Sequence, residues 1–262
     1  MFFRVRTPDR APADSGFSLV EMAVVLVVIG LLAAAAAAVY RPAAGAARTQ
    51  RAVRVLDGIG QAIVAFAVSH RRLPCADTDS DGVEGSGAGC GIAVGFQTGA
   101  VPYVTLGITM PGAPGADAGT ANVVYGVYRN AAVNADLTVA RERTGDAPGD
   151  PRFDDLGDFR LALVSASIAT AGNTHVYVTG VGANENCASA VLRNAAVIIA
   201  SPGGGDADGD GNSMDGVNAG LRLDGSGSKC FASPARRSDL AYDDRTRAIG
   251  FNDLAGALSV LD

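Results

Sequence analysis

Two short stretches of the sequence place an aspartate at every second position and then turn at a glycine. The first is D-T-D-S-D-G at residues 77–82, and the second is D-A-D-G-D-G at residues 206–211. Oxygen ligands at positions 1, 3 and 5 with a glycine at position 6 are the arrangement by which an EF-type loop wraps Ca²⁺. The sequence therefore predicts two candidate calcium sites, with the ligands Asp77, Asp79, Asp81, Glu84, Asp206, Asp208, Asp210, Asn212 and Asp215.

Both stretches depart from the EF-type pattern at the last ligand. A bidentate glutamate is expected at position 12, but Ala88 and Val217 stand there. Glu84 would have to supply the closing ligand of the first loop, and Asp215 that of the second. Otherwise another part of the domain would have to supply it, for which the aspartates at 243–244 are possible donors. The alternative is a pair of solvated turns, because aspartate and glycine favour turns without any metal.

A single carboxylate, Glu21, stands at the start of a long apolar run. Residues 22–40 carry no charge, and a helix of this length spans about 30 Å, the thickness of a bilayer's hydrocarbon core. A carboxylate in that core costs about 2.5–3.5 kcal/mol, so it persists where it has a partner. If the chain were cut after Gly16, the new amino terminus at Phe17 would supply a positive charge for the Glu21 of a neighbouring subunit.

The residues from Gly16 to Glu21, G-F-S-L-V-E, together with the apolar run, resemble the prepilin cleavage and methylation motif of type IV pilins and type II secretion pseudopilins. The resemblance implies cleavage between Gly16 and Phe17 by a prepilin peptidase, followed by N-methylation of Phe17. It also implies that Glu21 pairs with the amino terminus of an adjoining subunit during assembly. The partners expected from it are the peptidase, other pilin or pseudopilin subunits, and the inner membrane.

Two alternatives compete with the prepilin interpretation of the apolar run. The run could be a plain transmembrane anchor, or a secretory signal peptide cut near the alanines at 33–38. Neither of these accounts for Glu21. The prepilin interpretation predicts a single-pass protein of the bacterial inner membrane, with its carboxy-terminal domain in the periplasm or in an extracellular filament.

Four cysteines, Cys75, Cys90, Cys187 and Cys230, all follow the apolar run. An even number without C-x-x-C spacing predicts two disulfides in an oxidising compartment, rather than a metal site or reduced thiols. Three pairings are possible. We favour Cys75–Cys90 with Cys187–Cys230, because each of these pairs brackets one of the stretches rich in aspartate and glycine.

Composition argues against nucleic-acid binding and against catalysis. The net charge of the 262-residue chain is −6, and no basic stripe is present. The two histidines, His70 and His175, are not accompanied by a G-x-S-x-G, H-E-x-x-H or P-loop motif. We therefore expect no enzymatic activity and no nucleic-acid partner.

The elements that position these groups follow from hydrophobic periodicity. Apolar residues at three- and four-residue steps predict an amphipathic helix from about Ala46 to His70. Another short helix is predicted at Asp154–Ser167. Runs rich in valine, isoleucine and tyrosine predict strands at Val123–Tyr128, His175–Thr179 and Ala195–Ala200.

The sequence thus predicts an α+β, pilin-like fold, in which a long N-terminal hydrophobic helix packs on a small antiparallel β-sheet domain with long loops. Residues 1–16 would be a leader, 17–70 a transmembrane and stem helix, and 71–262 an extracytoplasmic domain. The predicted function is that of a structural subunit of a type IV pilus or a type II secretion pseudopilus, and the large body favours a minor one. The alternative is a membrane-tethered Ca²⁺-binding adhesion or substrate-binding module that does not polymerise.

Overall fold

The computed structural model describes most of the chain, which forms two compact units that divide between Gly45 and Ala46. The described residues are 18–85, 90, 96–109, 122–140, 155–188, 193–204 and 206–259, with the side chains of 36–46 and 133 left undescribed. The helices among them are α1 (Leu19–His70), α2 (Leu156–Ile168) and α3 (Phe251–Ser259). The strands are β1 (Thr98–Ala100), β2 (Val124–Val127), β3 (Tyr177–Val178), β4 (Arg193–Asn194), β5 (Val197–Ser201), β6 (Cys230–Phe231) and β7 (Arg245–Ile249).

The first unit contains the start of α1, whose side chains are apolar and exposed. Every side chain from residue 18 to residue 35 is exposed to the surroundings, and Glu21 is the one charged residue among them. The predicted apolar helix is therefore confirmed over this range, and it is compatible with membrane anchoring. The predicted span at 22–40 continues into residues whose side chains lie outside the described part.

By length and composition, one helical segment of the described residues passes the criterion for crossing a membrane, namely Ala47–His70. This segment lies in the second unit, and nearly half of its most apolar 18-residue stretch is buried there. Six of its apolar side chains form one buried face: Val55, Leu56, Ile59, Ile63, Phe66 and Ala67. The segment is accordingly the core helix of the body, which confirms the predicted amphipathic helix.

A four-stranded antiparallel sheet forms the centre of the body, with the strand order β1-β2-β5-β7. Strand β5 is buried along its whole length, and it pairs with β2 in the register Val124↔Ala200. Its continuous apolar run reflects cover on both faces. The stem residues Leu56, Ile59 and Ile63 belong to the same core cluster as β2 and β5. The predicted antiparallel sheet is confirmed, including two of its strands.

The strand predicted at His175–Thr179 is confirmed as β3, which lies in a second, three-stranded sheet with the order β4-β3-β6. Strands β4 and β6 of this sheet were not predicted from the sequence. In it, β3 pairs with β4 in the antiparallel sense and with β6 in the parallel sense. Strands β4 and β6 have only two residues each, which is too short for a hydrophobic period. The sheet packs against β2, where the absence of a side chain at Gly126 leaves room for the ring of Phe231.

The remaining helices pack against each other, and α2 is held at its start by a capping box. The Asp155 side chain accepts the amide of Asp158, and the Asp158 side chain accepts the amide of Asp155. The helix predicted at Asp154–Ser167 is thus confirmed. From α2, the guanidinium of Arg160 donates to the carbonyl of Leu258 in α3 at 3.0 Å.

Two disulfides join the four cysteines, Cys75 to Cys90 and Cys187 to Cys230. The Cα–Cα distances are 5.5 Å and 5.8 Å, which are ordinary values for a disulfide. The predicted pairing is confirmed. Each bond closes a segment that contains one of the aspartate-rich stretches.

Candidate functional site

The start of α1 carries the predicted assembly residue, Glu21, on its first turn. The Glu21 carboxylate accepts the backbone amide of Ser18 at 3.1 Å, and the Ser18 hydroxyl accepts the amide of Val20 at 3.1 Å. These two contacts resemble a capping box, because S-x-x-E satisfies amides that a helix start leaves without partners. Glu21 is exposed, so its carboxylate is also accessible to another subunit. Gly16 and Phe17 lie outside the described residues.

The first aspartate-rich stretch folds as a loop centred on Asp77. The side chain of Asp77 is buried, and it accepts the amides of Asp79, Ser80 and Gly82 at 3.1, 2.7 and 2.8 Å. Burial raises the pKa of Asp77, although these amides act in the opposite direction. Asp77, Asp79 and Asp81 can place one oxygen each within 4.8 Å of one another. The loop therefore brings together the three predicted aspartates.

Glu84, the fourth predicted ligand of this loop, lies against other groups. Its carboxylate accepts two hydrogen bonds from the Arg72 guanidinium, at 2.7 and 2.5 Å, and one from the Cys75 amide at 3.0 Å. Burial raises the pKa of Glu84, but Arg72 and the Cys75 amide outweigh it, and the net shift is downward. Glu84 thus joins the loop to the end of α1 and does not stand among the three aspartates.

The second stretch repeats the loop geometry of the first on the surface. Asp206 accepts the amides of Gly209 and Gly211 at 2.6 and 2.8 Å, as Asp77 does in the first loop. The glycine at the sixth position has a positive φ in both loops, 85° at Gly82 and 88° at Gly211, which favours glycine. Asp206, Asp208 and Asp210 are exposed and can bring three oxygens within 4.8 Å.

Asn212 and Asp215, the other predicted ligands of the second stretch, turn away from these three aspartates. The Asn212 side chain bonds the Met214 amide at 3.2 Å and the Ala219 carbonyl at 2.9 Å. Asp215 is buried and meets a different pair of carboxylates. Asp77 and Asp206 each accept backbone amides of their own loop, and this arrangement does not depend on an ion. Calcium binding at the two loops therefore stays a prediction.

A third carboxylate group consists of Asp215, Asp243 and Asp244, and we call it the buried aspartate triad. Each residue can place one oxygen within 4.8 Å of the other two. Asp215 and Asp244 are 0 % and 1 % exposed. The pKa of Asp244 is raised to about 7, chiefly by burial and also by the charges of Asp215 and Asp243, although the hydrogen bonds from Asn218 and the Asp215 amide act in the opposite direction. The sequence indicated the aspartates at 243–244 only as remote donors, since nothing local predicts their burial beside Asp215.

The two histidines occupy structural positions. His70 stacks on Phe66 with ring centroids 4.0 Å apart, and its Nδ1 lies 2.8 Å from the Ser69 hydroxyl. The Nδ1 of His175 lies 2.7 Å from the Arg129 carbonyl oxygen, and its ring packs on Tyr128. Burial lowers the pKa of His175, which favours the neutral imidazole. Both side chains hold the ends of secondary-structure elements against their neighbours.

Comparison with known proteins identifies the amino terminus of the chain. The family described as the prokaryotic N-terminal methylation motif matches residues 12–37. No curated protein and no solved structure matches the chain. The matched residues include Gly16, Phe17 and Glu21, and they continue into the exposed apolar part of α1. The chain therefore carries the N-terminal signature of the type IV pilins and pseudopilins.

Proposed function

We propose that this protein is a minor structural subunit of a type IV pilus or of a type II secretion pseudopilus. A prepilin peptidase cuts it between Gly16 and Phe17, Phe17 is N-methylated, and α1 carries the mature chain into the filament. The observation that carries the proposal is the methylation motif at residues 12–37, joined directly to a helix with an exposed apolar surface.

The apolar surface of α1 supports assembly through this helix. Leu19, Leu26 and Leu31 are 91 %, 64 % and 67 % exposed, and their neighbours along 18–35 are exposed as well. Such a surface is stable in lipid or against other apolar helices, but not in water. The inner membrane covers it before assembly, and the helices of adjoining subunits cover it in the filament.

Glu21 supports a specific register between subunits. In the isolated chain its carboxylate caps the first turn through the Ser18 amide. An exposed carboxylate on the first turn is placed to accept the charged amino terminus of an adjoining mature subunit. In an apolar surrounding such a pair is far stronger than in water, so it can select the axial offset of one helix against the next.

The body supports the extracytoplasmic location and the minor role. Its two disulfides, Cys75–Cys90 and Cys187–Cys230, persist in oxidising compartments. Residues 71–262 follow the stem helix, and a body of this size limits how closely identical copies can pack along a filament. A subunit present in few copies, at the tip or at initiation, avoids that restriction.

The first test of the proposal is the mass and amino-terminal sequence of the full-length protein, expressed with and without a prepilin peptidase. We expect a start at Phe17 with one additional methyl group only when the peptidase is present. A start beyond Ala38 in both strains would mean removal by ordinary signal peptidase and would refute the proposal. An uncut chain in both strains would leave a tethered protein and would refute it equally.

The second test replaces Glu21 by alanine and compares this variant with Ser18→Ala. Both variants weaken the cap of α1, but only Glu21→Ala removes the carboxylate. We expect both to be cleaved, and only Glu21→Ala to be missing from sheared filaments. Incorporation of Glu21→Ala at the wild-type level would refute the pairing.

Cross-linking separates a filament subunit from an anchored module that never polymerises. A photoreactive amino acid at the exposed position Val27 lies on the surface through which subunits would meet. We expect cross-links to pilin or pseudopilin subunits in cells that contain the assembly machinery. A cleaved and methylated chain without any such cross-link would favour the anchored module.

A further inference from the structure

The buried aspartate triad concentrates negative charge where water cannot screen it. Asp215 and Asp244 are almost fully buried, and Asp243 is half-buried. None of the ion pairs among the described residues joins a lysine or arginine to these carboxylates. Carboxylates that share a buried site repel one another strongly. The charge of Arg245 acts on Asp243, but one positive charge does not balance three carboxylates.

The hydrogen bonds of the triad leave oxygens without a donor. Asp215 accepts the amides of Ala207 and Asp243, each at 2.9 Å. Asp244 accepts the Asp215 amide at 2.9 Å and the Asn218 side-chain amide at 3.0 Å, both through Oδ2. Among the described residues, Asp244 Oδ1 is buried and accepts no hydrogen bond.

Asp243 repeats this pattern. Its Oδ2 accepts the Gly204 amide at 2.5 Å, whereas its Oδ1 is buried and has no hydrogen-bond partner among the described residues. Gly203 packs directly against this carboxylate, and any side chain there would overlap it. A buried acceptor without a donor is costly, so two such oxygens in one cluster point to a ligand that they share.

Two ligands could satisfy these oxygens, a proton or a metal cation. A proton removes one of the three negative charges and bonds one or two oxygens. A divalent cation balances two of the negative charges and can coordinate all three carboxylates at once. Oxygens bound to one Ca²⁺ at about 2.3–2.6 Å lie at most about 5 Å apart, and the triad oxygens lie within 4.8 Å of one another.

The donor set also distinguishes among cations. Carboxylate oxygens are ligands for hard cations such as Ca²⁺ and Mg²⁺, whereas zinc sites in proteins generally include nitrogen or sulfur. Mg²⁺ binds at about 2.0–2.1 Å and keeps several waters. A buried triad matches Ca²⁺ better, because burial disfavours an ion that keeps several waters.

We propose that Asp215, Asp243 and Asp244 form a Ca²⁺ site that fastens the second aspartate-rich stretch to the segment entering β7. The site differs from the two predicted loops, in which exposed or locally bonded aspartates would hold the ion. It also reaches the stem, because Gly204 donates to Asp243 while its carbonyl accepts the Arg48 guanidinium of α1 at 3.1 Å. The proposal is independent of the filament function.

The test measures Ca²⁺ binding to the full-length protein in detergent after removal of metals with a chelator. CaCl₂ is titrated calorimetrically, and the Tm is recorded with and without CaCl₂. We expect wild type to bind Ca²⁺ and to gain several degrees in Tm. Asp244→Asn keeps the shape of the side chain but removes its charge, and we expect at least tenfold weaker binding at this site and loss of the Tm gain.

Matched variants assign the signal to the triad. Asp81→Asn and Asp210→Asn each remove one carboxylate from a surface loop, and both should keep the gain in Tm. Asp243→Asn is the second triad variant, used if Asp244→Asn does not fold, and it should behave like Asp244→Asn. The proposal is overturned if wild type shows no response to CaCl₂, if the triad variants respond as wild type does, or if Asp210→Asn abolishes the response and the triad variants keep it.

Discussion

Replacement of Ile63 by alanine tests whether the second part of α1 is a structural component of the body. Ile63 is 0 % exposed and belongs to the same core cluster as Ile198 and Ile199 of β5. The change removes three carbon atoms, worth about 0.8 kcal/mol each in transfer free energy, or about 2.4 kcal/mol. The cavity left behind adds to this loss, so we expect a total of about 3–4 kcal/mol.

The assay is urea unfolding of the full-length protein in a mild detergent, followed by tyrosine fluorescence. The chain contains no tryptophan, and Tyr125 and Tyr128 are buried in the core, so their emission reports on its integrity. A loss of this size lowers the Tm of a body of this length by roughly 10 °C. Gln61→Ala is the matched control, because Gln61 is exposed on the same helix and should change the stability by less than about 0.5 kcal/mol. A loss below about 1 kcal/mol for Ile63→Ala would refute the packing of the stem in the core.

Two further predictions concern the disulfides and His175. Removal of Cys187–Cys230 should lower the free energy of unfolding by about 1 kcal/mol more than removal of Cys75–Cys90. The reason is that the sequence separations are 43 and 15, and a longer closed loop restricts the unfolded chain more. Variants in which both cysteines of one pair are replaced by serine measure this difference in the same assay. Burial lowers the pKa of His175 below its ordinary value of 6.5, so the stability that depends on its neutral form is present above this pH and is lost as the pH falls below it. Wild type should therefore lose more stability than His175→Gln between about pH 7.5 and pH 5.5.

Both predictions have a clear opposite result. An equal or greater loss for the Cys75–Cys90 variant would show that loop length does not govern the disulfide contributions. An identical pH dependence in wild type and His175→Gln would show that His175 does not become harder to protonate on folding. Wild type and each variant are compared in the same detergent and salt, so the shared titration of the carboxylates largely cancels.

Features determined by neighbours in the sequence could be predicted from the sequence alone. The turn from Ser18 to Glu21, the apolar face of the stem helix and the Asp155 helix start each depend on residues within about four positions. The loops at 77–82 and 206–211 likewise form from contacts of an aspartate with amides two to five residues ahead. Local patterns of this kind favour the same structure in any tertiary context.

Other features were decided only by the tertiary structure. The strands β4 and β6 are two residues long, and they exist because the fold brings these distant segments into register with β3. Glu84 follows the first loop in sequence, yet it binds Arg72, because the guanidinium of this residue, two positions beyond the end of α1, offers two donors and a charge.

The buried aspartate triad is the clearest example of a feature that could not be predicted from the sequence. By sequence, Asp215 belongs to the second loop, whereas Asp243 and Asp244 are two acidic residues among several near the carboxy terminus. The fold buries Asp215 and Asp244 and brings the three carboxylates together. Composition and spacing determine which oxygens the chain offers, but the burial of these carboxylates and their assembly into one cluster depend on contacts between segments about 30 residues apart. Those contacts arise only when the body folds.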